Sequence, residues 1–191
     1  LGKCPFTQIR LHNNASLDLD CDIFAGKSIY YFSVIGNSKC YGNVSVIPRT
    51  AVNIYLSSTA YTGPLSDLPA VAQNVYAYLA TGITPGSIAH LTAVRDIRIY
   101  SMWSSLSAAE SVDIVIDSMW DARDDYTYAT PSLQIGGTNP APTGNYIAPE
   151  EGADWHNDGS KWIPLTPNAK AYDLVNDVND EGFNTWTITT S

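Results

Sequence analysis

Two neighbouring stretches govern the reading of this chain: Val94-Arg95-Asp96-Ile97-Arg98-Ile99-Tyr100-Ser101-Met102-Trp103, and Ser111-Val112-Asp113-Ile114-Val115-Ile116-Asp117-Ser118-Met119-Trp120. In both, apolar and polar residues alternate, the pattern of a strand with one wet face. The polar segment Ser104–Glu110 between them is short enough for a hairpin, which predicts an antiparallel pair. The triplet Ser-Met-Trp ends both stretches. Two units do not make a repeat architecture, so the echo is read as coincidence.

The same period runs through the first sixty residues. Leu17-Asp18-Leu19-Asp20-Cys21-Asp22-Ile23 places three aspartates on one face, read as a solvated face that discourages edge pairing. Residues 28–35, 43–47 and 51–57 read as further strands, with a turn at Gly36-Asn37-Ser38-Lys39. Residues 66–82 depart from the pattern. Leu68, Val71, Ala72, Val75 and Leu79 recur at helical spacing behind Ser66 or Asp67 as a cap, predicting a short helix. A second helix is expected over 167–178 with Thr166 as its cap, preceded by an extended piece at 162–165 and followed by a strand at 185–189. Strand runs are not regularly interleaved with helices. The expected fold is therefore all-β: a single antiparallel β sandwich or jelly roll over residues 1–191, with one or two short helices.

Composition narrows the function classes. The chain has 191 residues, 45% of them apolar and only 15% charged, with a net charge of −9. Its ten Lys and Arg are scattered singly, which argues against direct phosphate contact with nucleic acid. No apolar run approaches the ~18 residues of a membrane span. The chain begins at Leu1 with no charged-then-apolar leader pattern, and is read as an excised domain or a processed product. Cys4, Cys21 and Cys40 fit one disulfide plus a thiol, or three buried thiols.

Motifs for chemistry are sparse. There is no Gly-x-Ser-x-Gly elbow, and His12, His90 and His156 lack neighbours that suggest a triad. Ala25-Gly26-Lys27-Ser28 lacks the first glycine of a phosphate-binding loop, because Cys21 stands there. Glu150 and Glu151 are adjacent on a loop, a poor arrangement for a glycosidase pair. No enzyme is expected. Asp177, Asn179 and Glu181 stand at positions one, three and five of a segment with Gly182 at six, as in calcium loops, but Ile188 occupies the twelfth position. A loose calcium site competes there with a polar turn, and no other cofactor is expected. The breaker-rich stretch 136–159 gathers Tyr146, Trp155, His156, Asn157 and Asp158, a set suited to stacking on a sugar or filling a protein interface. Against that stands a loop pinned by a buried Trp155.

The stretch from Val94 to Trp120 resembles a hairpin of jelly-roll capsid proteins of non-enveloped viruses. The matching residues are Arg95, Ile97, Arg98, Ile99 and Trp103, then Val112, Ile114 and Trp120, with Tyr126–Gly144 as the following loop. The resemblance implies a capsid or spike domain on the virion surface that self-associates into a homo-oligomer and attaches to a host receptor or glycan. The basic arm such proteins carry is missing here, which points to the receptor-binding role. The alternative is a secreted carbohydrate-binding module, and a hydrolase of unrecognised type comes third.

Overall fold

The computed structural model describes residues 7–14 and 16–190. Seven strands form one parallel sheet whose spatial order is their chain order: β1 (Gln8–His12), β3 (Tyr31–Ile35), β5 (Asn53–Ser57), β7 (Asn74–Tyr78), β9 (Asp96–Tyr100), β10 (Ser132–Gly136) and β13 (Thr187–Thr190). A second parallel sheet, also in chain order, holds β2 (Leu19–Asp20), β4 (Cys40–Asn43), β6 (Ala60–Pro64) and β8 (Ile83–Thr84). The chain thus winds as a solenoid. Each early coil lays one strand in each sheet and returns through a short helical turn, such as Val44–Val46 or Leu65–Asp67. The pairing Gln8 to Tyr31 to Asn53 to Asn74 to Asp96 sets a coil of 21 to 23 residues. Coils of that length, each stacked only on its neighbours, build a continuous core shared along the solenoid.

The expected antiparallel sandwich and jelly roll are therefore overturned. Alternation reports that one face of a strand is buried and the other wet, and a solenoid wall satisfies that condition with parallel strands. Phe32, Val34, Ile54, Leu56, Val75, Ala77, Ile97, Ile99, Leu133 and Ile135 all point into the core. The expected hairpin at 94–120 is half strand and half helix. Residues 96–100 are β9, but Val112–Asp121 is the helix α1, which buries Val112, Val115, Ile116 and Met119 on one side. The helix expected at 66–82 is absent. Leu68, Ala72 and Val75 belong to a corner and a strand, and their spacing reflects the cross-section of the coil. Of the run 17–23 only Leu19–Asp20 is strand, and Asp20 instead caps a helical turn by accepting from Asp22 N at 2.9 Å.

The end of the chain follows the sequence more closely. Helix α2 (Pro167–Asn176) starts at its Thr166 cap, with Pro167 in the first turn. It packs against α1, where Lys170 Nζ meets Asp117 Oδ1 at 3.0 Å and Trp120 Nε1 donates to the buried Asp173 at 2.8 Å. The hairpin β11 (Trp155–Asn157) and β12 (Trp162–Pro164) is antiparallel and lies outside both parallel sheets.

Each main-sheet strand from β1 to β10 is followed at once by a residue in the left-handed region: Asn13, Gly36, Ser58, Leu79, Ser101 and Gly137, with φ from 50° to 74°. This corner turns the chain from one sheet towards the other. At Gly36 a Cβ would lie 2.5 Å from Asn13 Oδ1, so any other residue there would have to displace the Asn13 side chain. Leu79 holds the same corner at φ 51° while 56% exposed. A left-handed L-residue costs roughly 1–2 kcal/mol, and glycine costs roughly 0.5–1 kcal/mol in chain entropy. Leu79→Gly should accordingly stabilise the fold by about 0.5–1 kcal/mol, raising the melting temperature by roughly 1–4 °C. A drop in thermal melting would show that Leu79 makes a stabilising contact that its exposure hides.

Candidate functional site

Parallel register stacks equivalent residues of successive coils into rows about 4.8 Å apart. On the outward face of the seven-stranded sheet this builds three rows. The first runs Gln8, Tyr31, Asn53, Asn74, Asp96, Ser132, and the second Arg10, Ser33, Tyr55, Tyr76, Arg98, Gln134. The third includes His12, Ser57, Tyr78 and Tyr100. Five of the chain's twelve tyrosines stand in these rows, all partly exposed.

The strand spacing brings the rings into contact. Tyr31 and Tyr55 stack at 5.1 Å, Tyr55 meets Tyr76 edge-on at 4.6 Å, and Tyr78 and Tyr100 stack at 5.1 Å. The Arg10 guanidinium lies 4.5 Å over the Tyr31 ring and that of Arg98 4.7 Å over Tyr76. Asp96 organises the centre, taking hydrogen bonds from Tyr76 Oη at 2.7 Å, Arg98 Nε at 2.9 Å and Ser132 Oγ. Asn74 Nδ2 donates to Asn53 Oδ1 at 2.7 Å beside it. Burial and the bond to Asp96 push the Tyr76 phenol well above its ordinary range, and burial does the same more mildly for Tyr55. Both therefore remain neutral donors near pH 7. The outcome is a preordered surface of rings and polar groups whose rotamers are already fixed before any partner arrives.

Of the nineteen acidic side chains only Asp96 stands in these rows. Tyr and Arg enrichment with depletion of Asp and Glu marks the cores of protein interfaces. One Ser–His contact lies on this face, Ser33 Oγ to His12 Nε2 at 2.7 Å. Ser33 is wholly buried, so its hydroxyl is not offered to a substrate. Among the described residues, no group of three or more His, Cys, Asp or Glu is placed to hold a metal ion.

The residues singled out in the sequence lie elsewhere, around the end of the solenoid. Trp155 has no exposed surface. Its Nε1 donates to Ile147 O at 3.1 Å and its ring meets Tyr172 edge-on at 6.1 Å. It is an anchor, and its expected role as a surface contact does not hold, because alternation along β11 turns Trp155 inward and His156 outward. Tyr146 is 49% exposed and its ring lies tilted against Tyr172 at 5.2 Å. His156 Nδ1 pairs with Glu151 Oε1 at 2.9 Å, and Asn157 N donates to Glu151 Oε2 at 2.7 Å. Asp158 caps a turn, and hydrogen bonds from the Ser160 side chain and the Lys161 and Ser160 amides hold its carboxyl down at about 2.

The three expected calcium ligands are all engaged by the protein. Asp177 accepts from the Glu181 and Gly182 amides, each at 2.8 Å. Asn179 bonds both N and O of Trp162, and Glu181 joins Arg123 at 3.0 Å and Lys161 at 3.4 Å. Polar-turn and ion-pair geometry accounts for every one of these contacts. Cys21 and Cys40 are buried thiols, and burial raises Cys21 to about 11. Cys4 lies outside the described residues.

The tyrosine rows were missed in the sequence because each row draws one residue from each coil. Tyr55, Tyr76 and Arg98 become neighbours only once the 21–23-residue register is known. No protein family, curated protein or solved structure matches the chain.

Proposed function

We propose that the chain is a non-catalytic recognition domain whose outward sheet face binds another protein. The observation that carries this reading is the row of touching tyrosines flanked by Arg10 and Arg98 on an open, preordered wall. Solenoids use such walls as extended binding surfaces. The partner's chemistry follows from the charges. Tyr31 and Tyr55 offer phenol donors, Arg10 and Arg98 offer guanidinium donors, the three rings offer their faces, and the single carboxylate among them is already satisfied by three donors, Tyr76 included. A polypeptide surface presenting carbonyls, carboxylates and apolar side chains complements that set.

The recognition half of the attachment reading carries over to this face. The hairpin that supported the capsid resemblance is a strand and a helix here, so display on a virion draws no support from it.

The test is selection from a displayed random-peptide library together with a glycan array, each repeated with Tyr76→Ala and Arg98→Ala. Truncation at a hot spot typically costs about 2 kcal/mol, roughly thirtyfold in affinity. Selected ligands should lose at least tenfold in both variants, with melting unchanged. Ligands indifferent to both substitutions would move the site off this face, and glycan hits alone would favour the carbohydrate-binding alternative.

A further inference from the structure

A cavity of about 120 Å³ lies among the end of α1, α2, the β11–β12 hairpin and the turn at 177–182. Trp120, Trp162, Ile163 and Pro164 give it an apolar wall, and no residue of the outward sheet rows lines it. Its charged groups are unevenly paired. Arg123 Nη2 meets Glu181 Oε2 at 3.0 Å and Lys161 Nζ meets Glu181 Oε1 at 3.4 Å, so two cations share one carboxylate. Asp173, on the same cavity, is the converse. It is 1% exposed and accepts from two neutral donors, Trp120 Nε1 at 2.8 Å and Val178 N at 3.1 Å. Among the described residues no cation stands within ion-pair distance of it. Burial pushes its carboxyl above the ordinary range, as expected of a charge without a counterion. Lys161 is half-exposed, so the cationic excess sits at the mouth and the lone carboxylate at the floor.

The geometry points to a binding site for a small free α-amino acid, glycine or alanine, taken as its zwitterion. The ammonium pairs with Asp173, and the carboxylate meets Lys161 and the spare N–H groups of Arg123. Nε, Nη1 and Nη2 of Arg123 each make one bond within the protein, which leaves a hydrogen on each terminal nitrogen. Charge excludes simpler ligands. A lone amine would answer Asp173 and add to the cationic excess, and a lone anion would do the reverse. Size excludes larger ones. A cavity of roughly 150 Å³ encloses benzene, about six non-hydrogen atoms. The space here, about 120 Å³, therefore suits glycine or alanine and not a branched amino acid. The site is separate from the sheet face and does not depend on what binds there.

The test is titration of the intact chain with glycine, L-alanine, L-leucine, methylamine and acetate, followed by the indole N–H signals in nuclear magnetic resonance and by thermal melting. Glycine or L-alanine should shift the Trp120 and Trp162 signals saturably, leave that of Trp103 in the solenoid core unmoved, and raise the melting temperature, since a ligand of the native state stabilises it. Methylamine and acetate should bind at least tenfold more weakly, and L-leucine should not bind. Asp173→Asn removes the charge and keeps an acceptor for the Trp120 indole, and should weaken binding at least tenfold. Lys161→Gln should do the same from a half-exposed position, which keeps the test decisive should Asp173→Asn fold poorly. Tyr76→Ala should change nothing. Three results would overturn the proposal: no saturable shift with either small amino acid at millimolar concentration, methylamine or acetate binding as tightly as they do, or binding indifferent to Lys161→Gln.

Discussion

Asn37→Ala should lower stability by roughly 2–4 kcal/mol, among the largest effects of any single polar substitution in this chain. Asn37 is wholly buried at the corner after β3. Its Nδ2 donates to Leu11 O and, at 3.0 Å, to Ile35 O, while its Oδ1 accepts from Asn14 N at 2.6 Å. One side chain therefore satisfies three backbone groups and ties the first coil to the second. Alanine leaves those groups without partners, at roughly 1–3 kcal/mol for each one that water cannot reach. Asn139 does the same work further along, accepting from Met102 N and Trp103 N at 2.9 Å and donating to Ile99 O at 2.9 Å. Thermal melting should fall by about 2–4 °C for each kcal/mol. Asn37→Asp should be no better, since it keeps the acceptor, loses both donations and buries a charge. A shift under about 2 °C for Asn37→Ala would mean the corner relaxes onto water, and that this side chain does not hold the coils in register.

The solenoid was legible in the sequence, at a longer period than the one that alternation reveals. Gly42-Asn43-Val44, Gly63-Pro64-Leu65 and Gly86-Ser87-Ile88 begin equivalent turns. Ile47-Pro48, Leu68-Pro69 and Leu91-Thr92 follow three residues behind the apolar member of each, and a strand comes next in every case. Local pattern reading divides this unit at its prolines and sees only short strands. Parallel neighbours also ordinarily require a crossover of a dozen or more residues, usually a helix. These coils make the return with a two- to five-residue second strand and, in the first three, a helical turn of three or four residues, so the expected marker of parallel pairing is missing.

Helix α1 was hidden for another reason. Val112, Ile114 and Ile116 satisfy a strand period, and Val112, Val115, Ile116 and Met119 satisfy a helical one. Ile114, 38% exposed while the other four are buried, shows which period the fold uses. Helix α2 was legible because Thr166-Pro167 supplies both a cap and a first-turn proline, a signal that does not depend on tertiary register.

Trp155→Ala should destabilise the chain by about 3–5 kcal/mol, the cost of emptying a large buried aromatic site. The indole is fully enclosed, with Tyr172 of α2 edge-on to it and the Ile147 carbonyl on its N–H. It links three segments: the 145–147 strip, β11 and α2. Asp154 beside it reinforces the same junction, accepting from Asn145 N at 3.0 Å, Asn145 Nδ2 at 2.8 Å and Thr166 Oγ1 at 2.8 Å. Thr166 is also the cap of α2, so loss of the indole should loosen that helix from its first turn. Solenoid coils contact only their neighbours, and stability is then distributed by region. The damage should therefore concentrate at this end. Amide exchange should rise by at least tenfold over residues 145–176 and little over β3, β5 and β7. Trp155→Phe separates packing from hydrogen bonding, since it keeps a ring against Tyr172, drops the donor to Ile147 O, and should cost only about 1–2 kcal/mol. Binding to the sheet face should survive both substitutions at temperatures where the chain remains folded. Unchanged melting for Trp155→Ala would mean that this end contributes little to the fold. Loss of sheet-face binding without loss of stability would place the recognition surface near Trp155 after all, and away from the tyrosine rows.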